Sequence, residues 1–291
     1  MKYLFATDLD GTLLAPDGTI GPRTRTALEV ARDAGVRIVF VTGRPPRWMG
    51  AVGEQTGHVG VCICANGAVV LDLASEQVTG VATIAEQDGT GIIRDVRAHF
   101  GARVRFAVER VRLGPMDSGA GPTAESHSRE FTQEAGYRPR LAPPEGAGVD
   151  TAEHLMRGGD VVKILARFNE PGSDDDAYLR QAATIAAGRS TVTRSNSPTL
   201  LEFGPAGVTK ASALADLALT WGIAQSHVVA AGDMPNDLHM LRWAGRGVAV
   251  QGAHQHVIAA ADEVVAGPES DGLEPVLVQL AHRAVTESLS H

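Results

Sequence analysis

The sequence predicts an α/β fold, a doubly wound parallel sheet interrupted by a second domain of α+β character. Three observations carry this. Strand and helix signals alternate over residues 1–83 and again over 204–291, the order that parallel sheets with crossover helices require. The stretch between, 84–203, loses that order and mixes isolated strands and helices. The apolar strands of the outer segments run into small and polar residues, and in open sheets of this Rossmann-like kind the strand ends are where ligands bind. The expected organisation is a core of 1–83 and 204–291 with 84–203 inserted as a second domain of mixed α+β character.

In chain order, Lys2–Thr7 is the first strand and Pro22–Ala34 the first helix, with Ala27, Leu28, Val30 and Ala31 turned inward and Gly35 as its stop. Val36–Val41 is β-branched and apolar, a buried strand. Pro45–Gly53 reads as a short helix or loop, and Val59–Ala65 as a third strand. Val69–Leu73 and Gln77–Ala82 suggest a hairpin. Within the insert, Ile92–Phe100 is helical and Val104–Val111 a strand. Met116–Gly148 is rich in Gly, Pro, Ser and Ala without periodicity. Val161–Phe168 is a strand, Asp175–Ala187 a helix, and Ser190–Thr193 with Thr199–Phe203 a hairpin around Ser197-Pro198. The α/β order then resumes: helix Lys210–Trp221, strand Val228–Ala231, helix Asp237–Ala244, strand Gly247–Val250, helix Val257–Ala261, strand Glu263–Val265 and a closing helix Leu273–Ser288.

Composition excludes several classes. Of 291 residues 44% are hydrophobic, enough for a sizeable core, and the net charge is −8. Nucleic-acid binders show a basic face instead, and an acidic chain has no attraction to anionic lipid. No apolar run approaches the roughly 18 residues of a membrane span, and Met1 opens no charged-then-apolar leader. The expected location is the cytoplasm, as a monomer or small homo-oligomer with no nucleic-acid or membrane partner. Cys62 and Cys64 flank one residue of a strand. Side chains so placed lie roughly 6.5–7 Å apart, poor geometry for a disulfide, so both read as small buried hydrophobes.

The chemistry gathers at strand tips. Asp8 and Asp10 alternate at the end of the first strand, so both face one small volume, followed at once by Gly11. Two adjacent carboxylates repel unless a cation or a shared proton relieves them. Thr42-Gly43, Lys210 and the Asp233/Asn236/Asp237 group mark three further clusters. These residue types suit phosphoryl transfer. One carboxylate can act as nucleophile, forming an acyl phosphate that water cleaves. A second can protonate the leaving oxygen and then activate the water. Mg²⁺ needs only two or three oxygen ligands besides its waters, and a hydroxyl, backbone N–H groups and a lysine can hold the transferring oxygens.

Asp8-Leu9-Asp10-Gly11-Thr12, Val41-Thr42-Gly43-Arg44, Gly207-Val208-Thr209-Lys210 and Gly232-Asp233-Met234-Pro235-Asn236-Asp237 resemble, in order and interval, the four motifs of the haloacid dehalogenase superfamily. Asn66-Gly67-Ala68, the long insert before the lysine, and Gly245-Arg246-Gly247-Val248-Ala249-Val250 resemble its Cof-like (type IIB) sugar-phosphatase branch. The resemblance implies a Mg²⁺-dependent phosphatase of small phosphorylated metabolites, with sugar phosphates foremost. It makes Asp8 nucleophile and metal ligand, and Asp10 general acid/base with a metal-binding carbonyl. Asp233 is the remaining carboxylate ligand. Asn236 and Asp237 support the metal waters and orient Lys210. Thr42 and the Gly43 amide hold phosphate, which Lys210 neutralises, and Asn66 is a phosphate or substrate contact. The alternatives are a phosphomutase of the same superfamily and, more remotely, a phospho-Asp signalling module. The chain departs from the pattern at Gly252-Ala253, where Asn-Ala is common, and at Gly267-Pro268 before Asp271-Gly272, where an Asn is common.

Other polar features read as structural. Asp174-Asp175-Asp176 precedes a helix, whose N-terminus favours negative charge. His254 and His256 lack a third ligand at zinc spacing. Arg47 and Trp48 are read as packing. Arg110, Arg112, His127 and Arg129 are minor candidates for an anionic substrate.

Overall fold

A computed structural model describes residues 2–116, 130–139, 147–169, 177–194, 197 and 199–288. In chain order the strands are β1 (Leu4–Thr7), β2 (Arg37–Val41), β3 (Val61–Cys64), β4 (Val69–Asp72), β5 (Gln77–Val81), β6 (Val104–Arg110), β7 (Gly114–Pro115), β8 (Phe131–Glu134), β9 (Gly148–Asp150) and β10 (Val161–Phe168). They continue as β11 (Ser190–Thr193), β12 (Leu200–Pro205), β13 (Val228–Gly232), β14 (Arg246–Val250) and β15 (Glu263–Val265). The chain forms two compact units, Met1–Ser75 with Thr209–His291, and Glu76–Val208. The second unit begins earlier and ends later than the 84–203 read from sequence.

The first unit carries the sheet order β15-β14-β13-β1-β2-β3-β4. All its neighbours are parallel except β4, which turns back antiparallel on β3. From β1 the chain crosses to β2 on one side, whereas β13 pairs with β1 on the other. The tip of β1 is therefore the point where the winding reverses, the place open α/β sheets reserve for ligands. Every residue of β1 is buried, and β2 is buried from Ile38 to Val41, the apolar runs that a sheet covered on both faces demands.

Helix Pro22–Asp33 buries Thr24, Ala27, Leu28 and Ala31, one i, i+3, i+4, i+7 stripe. Val30, expected inward, is 47% exposed because it lies off that stripe. No side chain of the helix's own segment caps its start. Asp271 does so from the far end of the chain: its Oδ1 accepts the Thr24 N–H at 2.8 Å. A Cβ on Gly21 would stand 2.0 Å from that same carboxylate oxygen, so the close approach requires glycine there.

The second unit has a sheet of order β11-β12-β10-β6-β8-β9, antiparallel apart from the β8–β9 pair; β5 pairs with β7. Phe106, Val108, Ile164, Ala166, Leu201 and Phe203 on one face pack with Ile92, Ile93 and Val96 of helix Glu86–Phe100 and with Ala182 and Ala186 of helix Ala177–Ala186. Helix Glu86–Phe100 starts six residues before the expected Ile92 (92 − 86 = 6). Gly89 and Gly91 blur its apolar period, but Gly89 has a packing reason, since a Cβ there would lie 2.3 Å from Met156 Cε. Strand β8 falls inside Met116–Gly148 and β9 starts at its last residue, and no pattern predicts either. Arg110 donates to Thr132 Oγ1 and to the Leu155 and Arg157 carbonyls, and Arg112 pairs with Asp160, so both are tied within this unit. His127, Arg129 and Asp174-Asp175-Asp176 lie outside the described residues. Among the described residues no helix is long and apolar enough to cross a membrane.

Candidate active site

The tips of β1, β2 and β13 stand side by side and end in Thr7-Asp8, Val41-Thr42 and Gly232-Asp233. Strand pairing carries past β1, as the Asp8 N–H donates to the Ala231 carbonyl at 3.0 Å. After Asp8 the chain coils tightly, with the Leu9 carbonyl accepting from the Thr12, Leu13 and Leu14 N–H groups. Gly11 sits in this coil at φ +87°, and a Cβ on it would meet Asp233 Oδ2 at 2.6 Å. Only glycine allows that approach. The coil also delivers Thr12, whose hydroxyl donates to Asp233 Oδ1 at 2.7 Å.

Lys210 opens helix Lys210–Thr220. A reciprocal cap fixes that helix start: Thr209 Oγ1 accepts the Ser212 N–H, and Ser212 Oγ accepts the Thr209 N–H. The lysine side chain is 1% exposed and its Nζ donates to Asp8 Oδ1 at 2.6 Å and to Asp237 Oδ1 at 2.7 Å. The other oxygen of Asp237, Oδ2, accepts the backbone N–H groups of Asp233 and Met234.

Asn66 lies in the turn joining β3 to β4 at φ 58°, ψ 29°, a left-handed conformation that Asn tolerates better than most residues. Its Oδ1 accepts from Asn236 Nδ2 at 3.3 Å. The next residue, Gly67, has φ +109°, and a Cβ would approach the Thr209 carbonyl oxygen to 2.3 Å. This turn is thus pressed directly against the cap that positions Lys210.

Charge is unbalanced here. Asp8, Asp233 and Asp237 can bring one carboxylate oxygen each within 4.8 Å of one another, and one ammonium serves them. Burial pushes the Asp8 carboxyl well up; Lys210 pulls it back, and Asp237 and Asp233 push it up again. Burial, with Asp237 adding to it, pushes Asp233 up to about 6 against the Thr12 hydrogen bond. Burial alone would lower Lys210, but Asp237 and Asp8 outweigh it and raise it. A further positive charge would relieve all three carboxylates. The donors are all oxygens, the set that Mg²⁺ takes. Asn236 Oδ1 is also buried without a hydrogen-bond partner among the described residues, as suits a group facing a hydrated cation. The residues fit such an ion.

The structure therefore gathers Asp8, Lys210, Asp233 and Asp237, and sets Asn66 against Asn236. Thr42 is buried at the β2 tip with Gly43 beside it, and its Oγ1 accepts the Arg44 N–H at 3.1 Å. The carboxylate cluster differs from the expected ligands Asp8, Asp10 and Asp233. The Asp10 side chain is not in it, consistent with the expected contact through the Asp10 carbonyl. Asp237 is in it, but both its oxygens are engaged, one by Lys210 and one by backbone, which suits a supporting role. Two partners went unassigned in the sequence: Thr12 on Asp233, and Arg44, which forms a two-pronged pair with Asp10. Both lie inside motifs, and a hydroxyl four residues past Asp8 and a guanidinium two past Thr42 were the available signals. His254 and His256 are partly exposed and exposed, with His254 Nδ1 accepting the His256 N–H, a local turn contact.

A model of the haloacid dehalogenase-like hydrolase family matches residues 5–277. The 5-amino-6-(5-phospho-D-ribitylamino)uracil phosphatase YcsE of Bacillus subtilis is 27% identical over 93% of this chain and 92% of its own length. Among solved structures, the HAD phosphatase BT1666 of Bacteroides thetaiotaomicron aligns with a TM-score of 0.74 at 23% identity, covering 96% of this chain and 95% of that one. The HAD subclass IIB sugar phosphatase BT4131 aligns with a TM-score of 0.75 at 20% identity, covering 95% and 98%. These two likenesses show a shared fold.

Proposed function

The chain belongs to the haloacid dehalogenase-like hydrolase family, and on that premise we propose that it is a Mg²⁺-dependent phosphoric monoester hydrolase. Its substrates are small phosphorylated metabolites, sugar phosphates foremost. The observation that carries this is the Asp8–Lys210–Asp237 chain of contacts at the tip of β1, with Asp233 held beside it by Thr12.

In this reading an Asp8 carboxylate oxygen attacks phosphorus. The bond from phosphorus to the ester oxygen breaks, and Asp10 gives that oxygen a proton, releasing the alcohol and leaving an aspartyl phosphate. Water then attacks phosphorus and passes its proton to Asp10. The bond to Asp8 breaks, freeing phosphate and restoring both side chains. Lys210 neutralises charge on the transferring oxygens while keeping Asp8 aimed, and Asp237 holds Lys210. Thr42 and the Gly43 amide receive the remaining phosphate oxygens, and Asn66 with Asn236 lines the same site. Asp8, Asp233 and the Asp10 carbonyl would hold Mg²⁺, which would supply positive charge to offset the repulsion between carboxylate and phosphate.

The second unit, Glu76–Val208, serves as the cap that selects the leaving group. The relative YcsE is named for a phosphorylated ribityl compound, which supports a polyhydroxylated phosphate ester as the substrate class. We place the enzyme in the cytoplasm, where its two buried cysteines, Cys62 and Cys64, stay reduced. Asp8→Asn tests the assignment. It should abolish hydrolysis of p-nitrophenyl phosphate with Mg²⁺; retained turnover overturns the role of Asp8.

A further inference from the structure

Four carboxylates lie at or beside the tip of β1; Asp237 is held by Lys210 and by backbone N–H groups, and the other three are each held differently. Asp8 is gripped by Lys210, and Asp233 by Thr12. Asp10 lies one step outward with its side chain 42% exposed. Among the described residues its carboxylate hydrogen-bonds only to Arg44. Arg44 Nε donates to Asp10 Oδ2 at 2.8 Å and Nη2 donates to Oδ1 at 2.6 Å. This is the fork geometry that fixes both the plane and the direction of a carboxylate.

The arginine is itself well anchored. Its N–H donates to Thr42 Oγ1, and its carbonyl accepts the Ala65 N–H at 2.9 Å. The Asn66 N–H donates to the Thr42 carbonyl at 3.0 Å. The strand tip that carries Thr42 and the turn that carries Asn66 thus hold the Arg44 backbone from both sides. A rigid cation grips the one carboxylate that would otherwise be free to turn.

We propose that Arg44 is the positioning residue of Asp10, aiming it at the oxygen that leaves and then at the water that attacks. This rests on the phosphatase reading above. In the two-pronged pair both carboxylate oxygens are engaged, so one prong opens while Asp10 exchanges a proton and the other keeps the carboxyl in line. Removing the arginine leaves Asp10 chemically intact but unaimed, and proton transfer is sensitive to small misplacements.

The experiment compares Arg44→Met and Arg44→Lys on two esters with Mg²⁺, glycerol 2-phosphate and p-nitrophenyl phosphate. An alkoxide needs a proton to leave, whereas nitrophenolate does not, and kcat/KM reports the steps up to that departure. Arg44→Met should lower kcat/KM on glycerol 2-phosphate by about 10²–10³-fold and on p-nitrophenyl phosphate by less than about tenfold, with KM nearly constant. Arg44→Lys, a single-point donor, should recover part of the loss. In an Asp10→Asn background Arg44→Met should add no more than about twofold. Equal losses on both esters, a loss confined to KM, or a full further loss in the Asp10→Asn background overturns the proposal. Native protein that hydrolyses neither ester overturns the phosphatase reading with it, so the two failures are distinguishable.

Discussion

Lys210 Nζ stands 2.6 Å from Asp8 Oδ1 although 202 residues separate them in sequence. The same ammonium reaches Asp237 at 2.7 Å, and the side chains of Lys210 and Asp237 are essentially inaccessible. Burying one cation between two anions carries a large desolvation cost that close, hydrogen-bonded geometry offsets. The arrangement is stable only while all three members are present.

Lys210→Met is therefore expected to destabilise the fold by about 3–5 kcal/mol, because it leaves two buried carboxylates facing each other. Urea unfolding at pH 7.5 measures it. Added Mg²⁺ should restore part of the loss by replacing the missing charge, while hydrolysis stays abolished.

Asp10→Ala should be nearly inactive yet folded, with Mg²⁺ affinity close to native. Its side chain lies outside the carboxylate cluster, and its expected metal contact is a backbone carbonyl that the substitution keeps. Thermal unfolding with and without Mg²⁺, read beside turnover, separates the two effects.

His58 gives the fold a pH dependence away from the site. It is buried against Phe40, ring centroids 4.1 Å apart, and burial lowers its pKa to about 4. The unfolded chain, with an ordinary histidine near 6.5, binds the proton first. Stability is complete above about pH 6.5 and falls as pH drops toward 4, by about 3 kcal/mol in all from this group. Unfolding free energies at pH 7.5, 6 and 5 should show the decline, and His58→Leu should flatten it.

Gly67→Ala should damage the site without touching a reacting group. At φ +109° a Cβ is strained, and it would press on the Thr209 carbonyl beneath the Lys210 cap. Strain of this kind costs about 1–3 kcal/mol, and the displaced helix start should lower kcat by carrying Lys210 off Asp8. Native kcat with native stability would contradict the argument.

Asp271→Ala should cost about 1 kcal/mol, the usual worth of a helix cap, because Pro22–Asp33 has no cap of its own. Turnover of the folded variant should be unchanged, as checked by urea unfolding beside steady-state kinetics.

The core strands were legible in the sequence because their signal is local. β3 and β13 are unbroken apolar runs and β2 is one from Ile38 onward; they lead into Asn-Gly, Gly-Asp and Thr-Gly, and each strand lies where its run predicts. Helix Glu86–Phe100 was half legible: its glycines answer to Met156 and Arg189, residues distant in sequence. Strands β8 and β9 were invisible, since strands this short and polar carry little apolar alternation. Val30 misled because a hydrophobic residue one position off a helical stripe looks the same in sequence as one on it.

The sequence by itself determined which chemical groups the site has: two alternating aspartates, a threonine, a lysine and a second acidic cluster, each at a strand or helix end. The choice of partner for each came only from tertiary structure. The Asp10 carboxylate pairs with Arg44 outside the Asp8, Asp233 and Asp237 cluster, Asp237 accepts from Lys210, Thr12 donates to Asp233, and Asp271 caps a helix at the other end of the chain. The physical reason is that residue type and spacing act over a few positions. Pairing depends on strand order, and it is the reversal of winding at β1 that brings β2 and β13 to either side of Asp8.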